Sequence, residues 1–166
     1  MKRIIVLLTA GVVLGLLFRR YVYETIRVPT ASMEPTIEKG AILWVNKFIY
    51  LFGEPGRGDT VVFPSPVSKK VLVKRIVGLP GEKILIKEKK VYINDTLLDE
   101  PYAEYQRADE ILEGDNISGL IVPREKYFLM GDNRDYSEDS RDWKDGKGNP
   151  VYFIVRKDIK GKVILR

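Results

Sequence analysis

Hydrophobic and polar positions divide the chain into two unlike parts. Ile4 to Phe18 is a run of fifteen uncharged residues, IIVLLTAGVVLGLLF, bracketed by Lys2-Arg3 and Arg19-Arg20. At ~1.5 Å per residue a helix of that length covers roughly 22 Å, short of the ~30 Å hydrocarbon core of a bilayer. Lys2 and Arg3 can snorkel at one end, and Tyr21, Val22 and Tyr23 can lengthen the apolar column at the other. Three readings stand: an uncleaved single-pass anchor, a cleaved leader, or a buried core helix. The residues after the run, Arg-Arg-Tyr-Val-Tyr-Glu, lack the paired small residues of a cleavage site. A core helix ordinarily carries a polar stripe, which this run lacks. An anchor is therefore expected over residues 1–22, with a single folded domain over 23–166.

From Tyr21 onward the period changes to short β-type runs separated by turn chemistry. Expected strands are Ala41 to Val45, Thr60 to Phe63, Val71 to Val77, Lys83 to Ile86, Lys90 to Ile93, Tyr127 to Met130 and Val151 to Val155. Breaks fall at Gly53 to Gly58, Gly78 to Gly81, Asn94-Asp95 and Asp145 to Pro150. No stretch after Phe18 holds a 3.6-residue period for a dozen residues, so the fold class is mostly β, with many short antiparallel strands and one N-terminal helix. Residues 94–125 are more polar and read as an irregular excursion. The aromatic run Trp44 to Phe52 fits either a strand and turn entering the core or a lip resting on lipid.

Composition narrows the chemistry. The chain has 166 residues, 45% apolar and 31% charged, enough core-formers for a folded domain. Its net charge is +5, but Lys2, Arg3, Arg19 and Arg20 supply four of the five, so the body is close to neutral and no nucleic-acid surface is expected. The chain holds no His and no Cys. That excludes a Ser-His-Asp triad, a cysteine nucleophile, a disulfide and the usual zinc ligand sets. The acidic run Gly131 to Asp142 fails as a calcium loop, because Arg134 or Ser140 falls where a ligand or the turn glycine belongs. Ion pairs with Arg134 and Arg141 are expected there, and no metal or cofactor.

What remains for hydrolysis includes Ser or Thr activated by Lys. Of six serines, Ser32 sits in Val28 to Thr36, a segment stiffened by Pro29 and Pro35, with a second hydroxyl at Thr30. Lys74 is the one lysine embedded in an apolar strand, sharing by alternation a face with Leu72 and Ile76. Burial can lower a lysine pKa from ~10.4 by roughly 3–5 units, and a drop of about three lets the amine accept a proton near neutral pH. Each residue also has a plainer reading: a turn serine, and a strand-edge lysine in solvent.

Taken in order, the segments resemble the type I signal peptidase family, membrane-bound Ser/Lys endopeptidases that remove signal peptides from exported proteins. Val28-Pro-Thr-Ala-Ser32-Met-Glu-Pro-Thr36 matches the nucleophile box and Arg57-Gly-Asp-Thr-Val-Val-Phe63 the next. Val73-Lys-Arg-Ile-Val-Gly-Leu-Pro-Gly-Glu82 matches the general-base box, and Gly131-Asp-Asn-Arg-Asp-Tyr-Ser-Glu-Asp-Ser-Arg141 the last. The resemblance implies a signal-peptidase-like β fold with Ser32 as nucleophile, Lys74 as general base and Ser137 orienting the amine. It implies an oxyanion site from the Ser32 N–H and the Thr30 hydroxyl. Arg75 and Asp132, with Asp139 and Arg141, look like supporting ion pairs. Ile26, Val28, Pro29, Met33 and Val73 match positions that take the substrate as an added strand, with shallow pockets suited to Ala-x-Ala. Three positions depart from the common pattern: Thr30 for Ser, Ala31 for Gly and Tyr136 for Asn. Implied partners are preprotein signal peptides and the lipid surface, with the chain a monomer. The implied location is the cell membrane, single-pass, with the N-terminus cytoplasmic and the catalytic domain outside. Two rivals are a Ser/Lys peptidase dedicated to one substrate and a silent, membrane-anchored β module that binds exported segments. Met1 to Arg20 is no helix-turn-helix, which removes a self-cleaving repressor.

Overall fold

A computed structural model describes residues 2–68 and 70–165, apart from the side chains of residues 17–21. In chain order the elements are α1 (Lys2–Tyr21), β1 (Tyr23–Arg27), β2 (Ile42–Asn46), α2 (Ile49–Phe52), β3 (Thr60–Pro64), β4 (Val71–Gly78), β5 (Lys83–Lys87), β6 (Lys90–Ile93), β7 (Thr96–Leu97), β8 (Ile117–Ile121), β9 (Lys126–Met130), β10 (Ile154–Val155) and β11 (Gly161–Ile164). A seven-stranded sheet runs β1-β2-β11-β3-β4-β9-β10, and a four-stranded sheet runs β7-β6-β5-β8. Pairing between neighbouring strands is antiparallel throughout the described residues, as the short runs require.

The apolar run forms α1, and its side chains from Ile4 to Leu16 are exposed. Among the described residues no helix is long and apolar enough to cross a membrane. Arg19, Arg20 and Tyr21, on which the length of a span depends, have side chains outside the described residues. α1 leads into β1, where Tyr23 stands opposite Asn46 and Arg27 opposite Ile42.

Strand β4 explains why its sequence shows a nearly unbroken apolar run rather than alternation. Val73 to Gly78 are all buried, because both faces of the strand are covered. Val73 packs with Val28, Met33, Val45 and Val62; Ile76 with Phe63, Leu129 and Trp143; Val77 with Ile84, Ile86 and Phe128. Lys74 and Arg75 lie inside this buried stretch, so each needs a partner or must lose its charge.

The span expected to be an irregular excursion is partly regular: β7 and β8 fall inside residues 94–125 and complete the smaller sheet. The part between them returns to the main body, where Glu104 forms a parallel bridge with Asn133. In the aromatic run Tyr50 is buried in the core while Phe48, Ile49, Leu51 and Phe52 face outward, with Phe52 82% exposed. That run therefore begins as the end of β2, with Val45 buried, and continues as a short helical turn pinned by Tyr50.

Candidate active site

The segment after β1 is a tight turn over a buried floor. Val28 N–H donates to Ala41 O at 2.9 Å, Glu34 N–H to Ala31 O at 3.1 Å, and Ile37 N–H to Met33 O at 2.8 Å. Val28, Met33 and Ile37 point into the core and leave Ser32 at the surface of that floor, 6% exposed. Lys74, 42 positions away on β4, is 3% exposed, and its Nζ donates to Ser32 Oγ at 2.6 Å. Thr30 Oγ1 lies 3.2 Å from the same oxygen.

Burial pushes the Lys74 amine down to about 8; Asp139 opposes the shift and the Arg141 charge adds to it. Elimination of His and Cys, together with an apolar strand context, thus pointed to a lysine that is dry in the folded chain.

The arrangement is braced by buried ion pairs. Arg75 grips Asp132 with two bonds, Nε to Oδ1 at 2.8 Å and Nη2 to Oδ2 at 2.6 Å, donates to Gly58 O at 2.8 Å, and lies 4.0 Å over the ring of Tyr102. Arg141 grips Asp139 with Nε to Oδ1 at 2.9 Å and Nη2 to Oδ2 at 3.0 Å. Asp139 also accepts Gly131 N–H at 2.9 Å and the Ser137 hydroxyl at 2.7 Å. Burial alone would raise the Asp139 carboxyl, but Arg141 holds it below the usual carboxylate range. Gly131 is required where it is: a Cβ there would collide with Ser32 O and Ser137 Oγ, so only glycine lets β9 end against the Ser32 turn.

Two placements differ from expectation. The Ser137 hydroxyl donates its proton to Asp139, the strongest acceptor within reach, and among the described residues it makes no hydrogen bond to Lys74. Met33 is not a pocket wall, because it is completely buried beneath Val28 and Val73. The other four expected substrate positions, Ile26, Val28, Pro29 and Val73, do line one cavity with Thr30, Ser32 and Lys74, of about 510 Å³.

Several participants were not singled out from sequence. Glu100 takes both Nη atoms of Arg134, at 2.9 and 2.6 Å. Lys89 bridges Asp135 at 2.6 Å and Asp115 at 3.3 Å. Asn133 touches the Ser32 turn through backbone and side chain. Arg134 and Arg141 amid acids announce ion pairs, and Arg141 finds Asp139 nearby, but Glu100, which pairs Arg134, and Asp115, 3.5 Å from Arg141, lie in the polar excursion, where nothing in the local pattern marks them.

All 166 residues match the family model described as signal peptidase, peptidase S26. The chain belongs to that signal peptidase family. Signal peptidase I P of Bacillus subtilis subsp. natto is 35% identical to this chain over 155 residues, covering 91% of this chain and 80% of the relative. Signal peptidase I T of Bacillus subtilis (strain 168) is 40% identical over 135 residues, covering 79% and 70%. A crystal structure of a signal peptidase I from Enterococcus faecalis superposes with a TM-score of 0.51 at 29% identity, covering 68% of this chain and 98% of that one. As a member of the signal peptidase family the chain is a serine peptidase, with the mostly-β, signal-peptidase-like fold that its motifs implied.

Proposed function

We infer that this signal peptidase hydrolyses the bond after an Ala-x-Ala-like site in exported preproteins through an acyl-enzyme on Ser32, with Lys74 as base. The observation that carries the reading is the 2.6 Å contact between a buried amine and a serine hydroxyl at one apolar cavity. Neutral Lys74 takes the Ser32 proton as Oγ adds to the scissile carbonyl. The resulting ammonium returns that proton to the departing amine, and a water repeats the cycle to release the acyl group. Ser32 N–H donates no backbone hydrogen bond among the described residues, so it is available to the oxyanion, and Thr30 Oγ1 offers a second donor. Ser137 acts on the amine through Asp139, whose charge it shares. A silent binding module would have no use for the cost of burying an unpaired amine against a hydroxyl.

Sheet topology supports one route of substrate entry. β4 pairs β9 from Arg75 onward, so on the side away from β3 the edge of Val71 to Lys74 has no strand beside it among the described residues. An extended peptide can add there, facing Ile26, Val28 and Pro29 across the cavity, with small side chains in its apolar recesses. Incubating the chain with a precursor carrying Ala-x-Ala should yield one new N-terminus immediately after the second Ala, and none with Ser32→Ala. Cleavage elsewhere, or by the Ser32→Ala chain, would refute the reading.

We also assign α1 as a single-pass anchor in the cell membrane, N-terminus cytoplasmic and catalytic domain outside, on a monomeric chain. The uncharged run from Ile4 to Phe18 and its exposed side chains support this. Lys47 N–H donates to Val22 O at 2.9 Å, which sets the exposed turn of α2 beside the foot of α1. Phe48, Leu51 and Phe52 then rest on lipid. Trp44 is half exposed and Trp143 is buried, so in vesicles brominated lipids should quench the Trp44 share of the emission. Emission indifferent to bromine would return the aromatic turn to an ordinary surface.

A further inference from the structure

Asn133 is 1% exposed and lies directly against the nucleophile turn. Its backbone N–H donates to Ser32 O at 3.2 Å, and its Nδ2 donates to Ala31 O at 3.3 Å. One residue therefore bonds the carbonyls on both sides of the catalytic serine, as the second donor on Ala31 O beside Glu34 N–H at 3.1 Å. Ala31 O belongs to the same planar peptide unit as Ser32 N–H, and that bond is trans. Fixing the oxygen therefore fixes the direction in which the N–H points. A donor on the oxygen also polarises the amide, leaving more positive charge on its hydrogen.

The excursion backs Asn133 from behind. Glu104 N–H donates to Asp132 O at 2.8 Å, and Glu104 O accepts Arg134 N–H at 2.9 Å, so the residues on either side of Asn133 are clamped by one extended backbone. Asn133 Oδ1 is buried with no hydrogen-bond partner among the described residues, which leaves Nδ2 as the part of the amide that the fold employs.

We propose that Asn133 is a positioning residue for the oxyanion site: through Ala31 O it aims and polarises the Ser32 N–H, with the Glu104 backbone as its support. The proposal rests on the Ser32–Lys74 peptidase reading and adds to it a residue that touches neither the substrate nor the base.

Asn133→Asp keeps the shape and replaces the donor with a carboxylate oxygen facing Ala31 O. Loss of a direct oxyanion donor costs 10²–10³ in rate, so misaiming one should lower kcat by about 10- to 100-fold. KM should stay within about two-fold, and the pH profile is read on the uncharged Asn133→Ser, whose acidic limb should not move because no charge is added near Lys74. A peptide aldehyde ending in Ala-x-Ala forms an adduct on Ser32 that places an oxygen in the site, and its inhibition should weaken by the same factor as kcat. The matching peptide alcohol, which builds no such oxygen, should bind as before. Asn133→Ser carries the same test should the buried carboxylate prevent folding, and Glu104→Pro, lacking the N–H to Asp132 O, should give the same signature. Wild-type kcat in these variants overturns the proposal, as does an equal loss of aldehyde and alcohol binding. Cleavage by Ser32→Ala would instead overturn the peptidase reading beneath it.

Discussion

Replacing Lys74 by Met should silence precursor cleavage, lowering kcat/KM by about 10⁴-fold or more, the scale on which one member of a nucleophile–base unit acts. Met fills the buried site with an unbranched chain of similar length, so the fold should survive. Lys74→Arg is the more telling variant: a guanidinium stays charged at every working pH and cannot take the Ser32 proton. It should be as inactive as Met, although the positive charge is retained. In the unaltered chain, burial brings the amine down to about 8. The base works only when neutral, so log(kcat/KM) should climb with pH and level off above about 8. A limb centred near the ordinary ~10.4 of a solvated lysine, or an active Lys74→Arg chain, would remove Lys74 from the mechanism.

The second large effect is on stability and reaches the same amine. Asp139→Ala strips a fully buried carboxylate from Arg141 and leaves Gly131 N–H and the Ser137 hydroxyl without their acceptor. Breaking a buried pair by removing one partner costs about 3–5 kcal/mol, read as a lower urea midpoint at unchanged slope. The carboxylate favours the Lys74 ammonium, and the orphaned Arg141 disfavours it. Both changes push the amine pKa down, so whatever activity survives should show its acidic limb at lower pH than in the unaltered chain. A limb that moves up instead would mean that Asp139 does not act on Lys74 through charge. In the intact chain the Asp139 carboxyl is held low, so the stability it contributes is present above the unfolded value near ~3.9 and is lost only as pH falls through its depressed folded value.

Strand existence was legible where β-branched or aromatic runs are bounded by Gly, Pro or Asn, as in β3 to β6 and β9. β1, β8 and β11 carry polar residues or sit beside glycines, and they become strands through pairing with β2, β5 and β3 rather than through local preference. Val151 to Val155 yields only the two residues of β10, because only Ile154 and Val155 find partners on β9. The hairpin turn at Glu88-Lys89, both with positive φ, has no turn signature. It is held from outside by the ion pairs of Lys89 with Asp115 and Asp135, which no local pattern foretells.

By itself the sequence determined the chemistry available to this protein. Without His or Cys, a hydrolase of this kind had to draw on hydroxyls, carboxylates and lysines, and four ordered boxes named the family those groups belong to. Residue types and their order along the chain are enough for that, because they decide which groups exist and in what local frame. Only the tertiary structure decided which groups touch. Ser32 and Lys74 are brought to hydrogen-bond distance across 42 positions, Ser137 turns to Asp139, Met33 sinks into the floor, and Asn133 closes on the nucleophile turn from the segment after β9. Distance and burial are properties of packed backbones. They alone set how much water an amine loses, and so whether Lys74 is a spectator cation or a base.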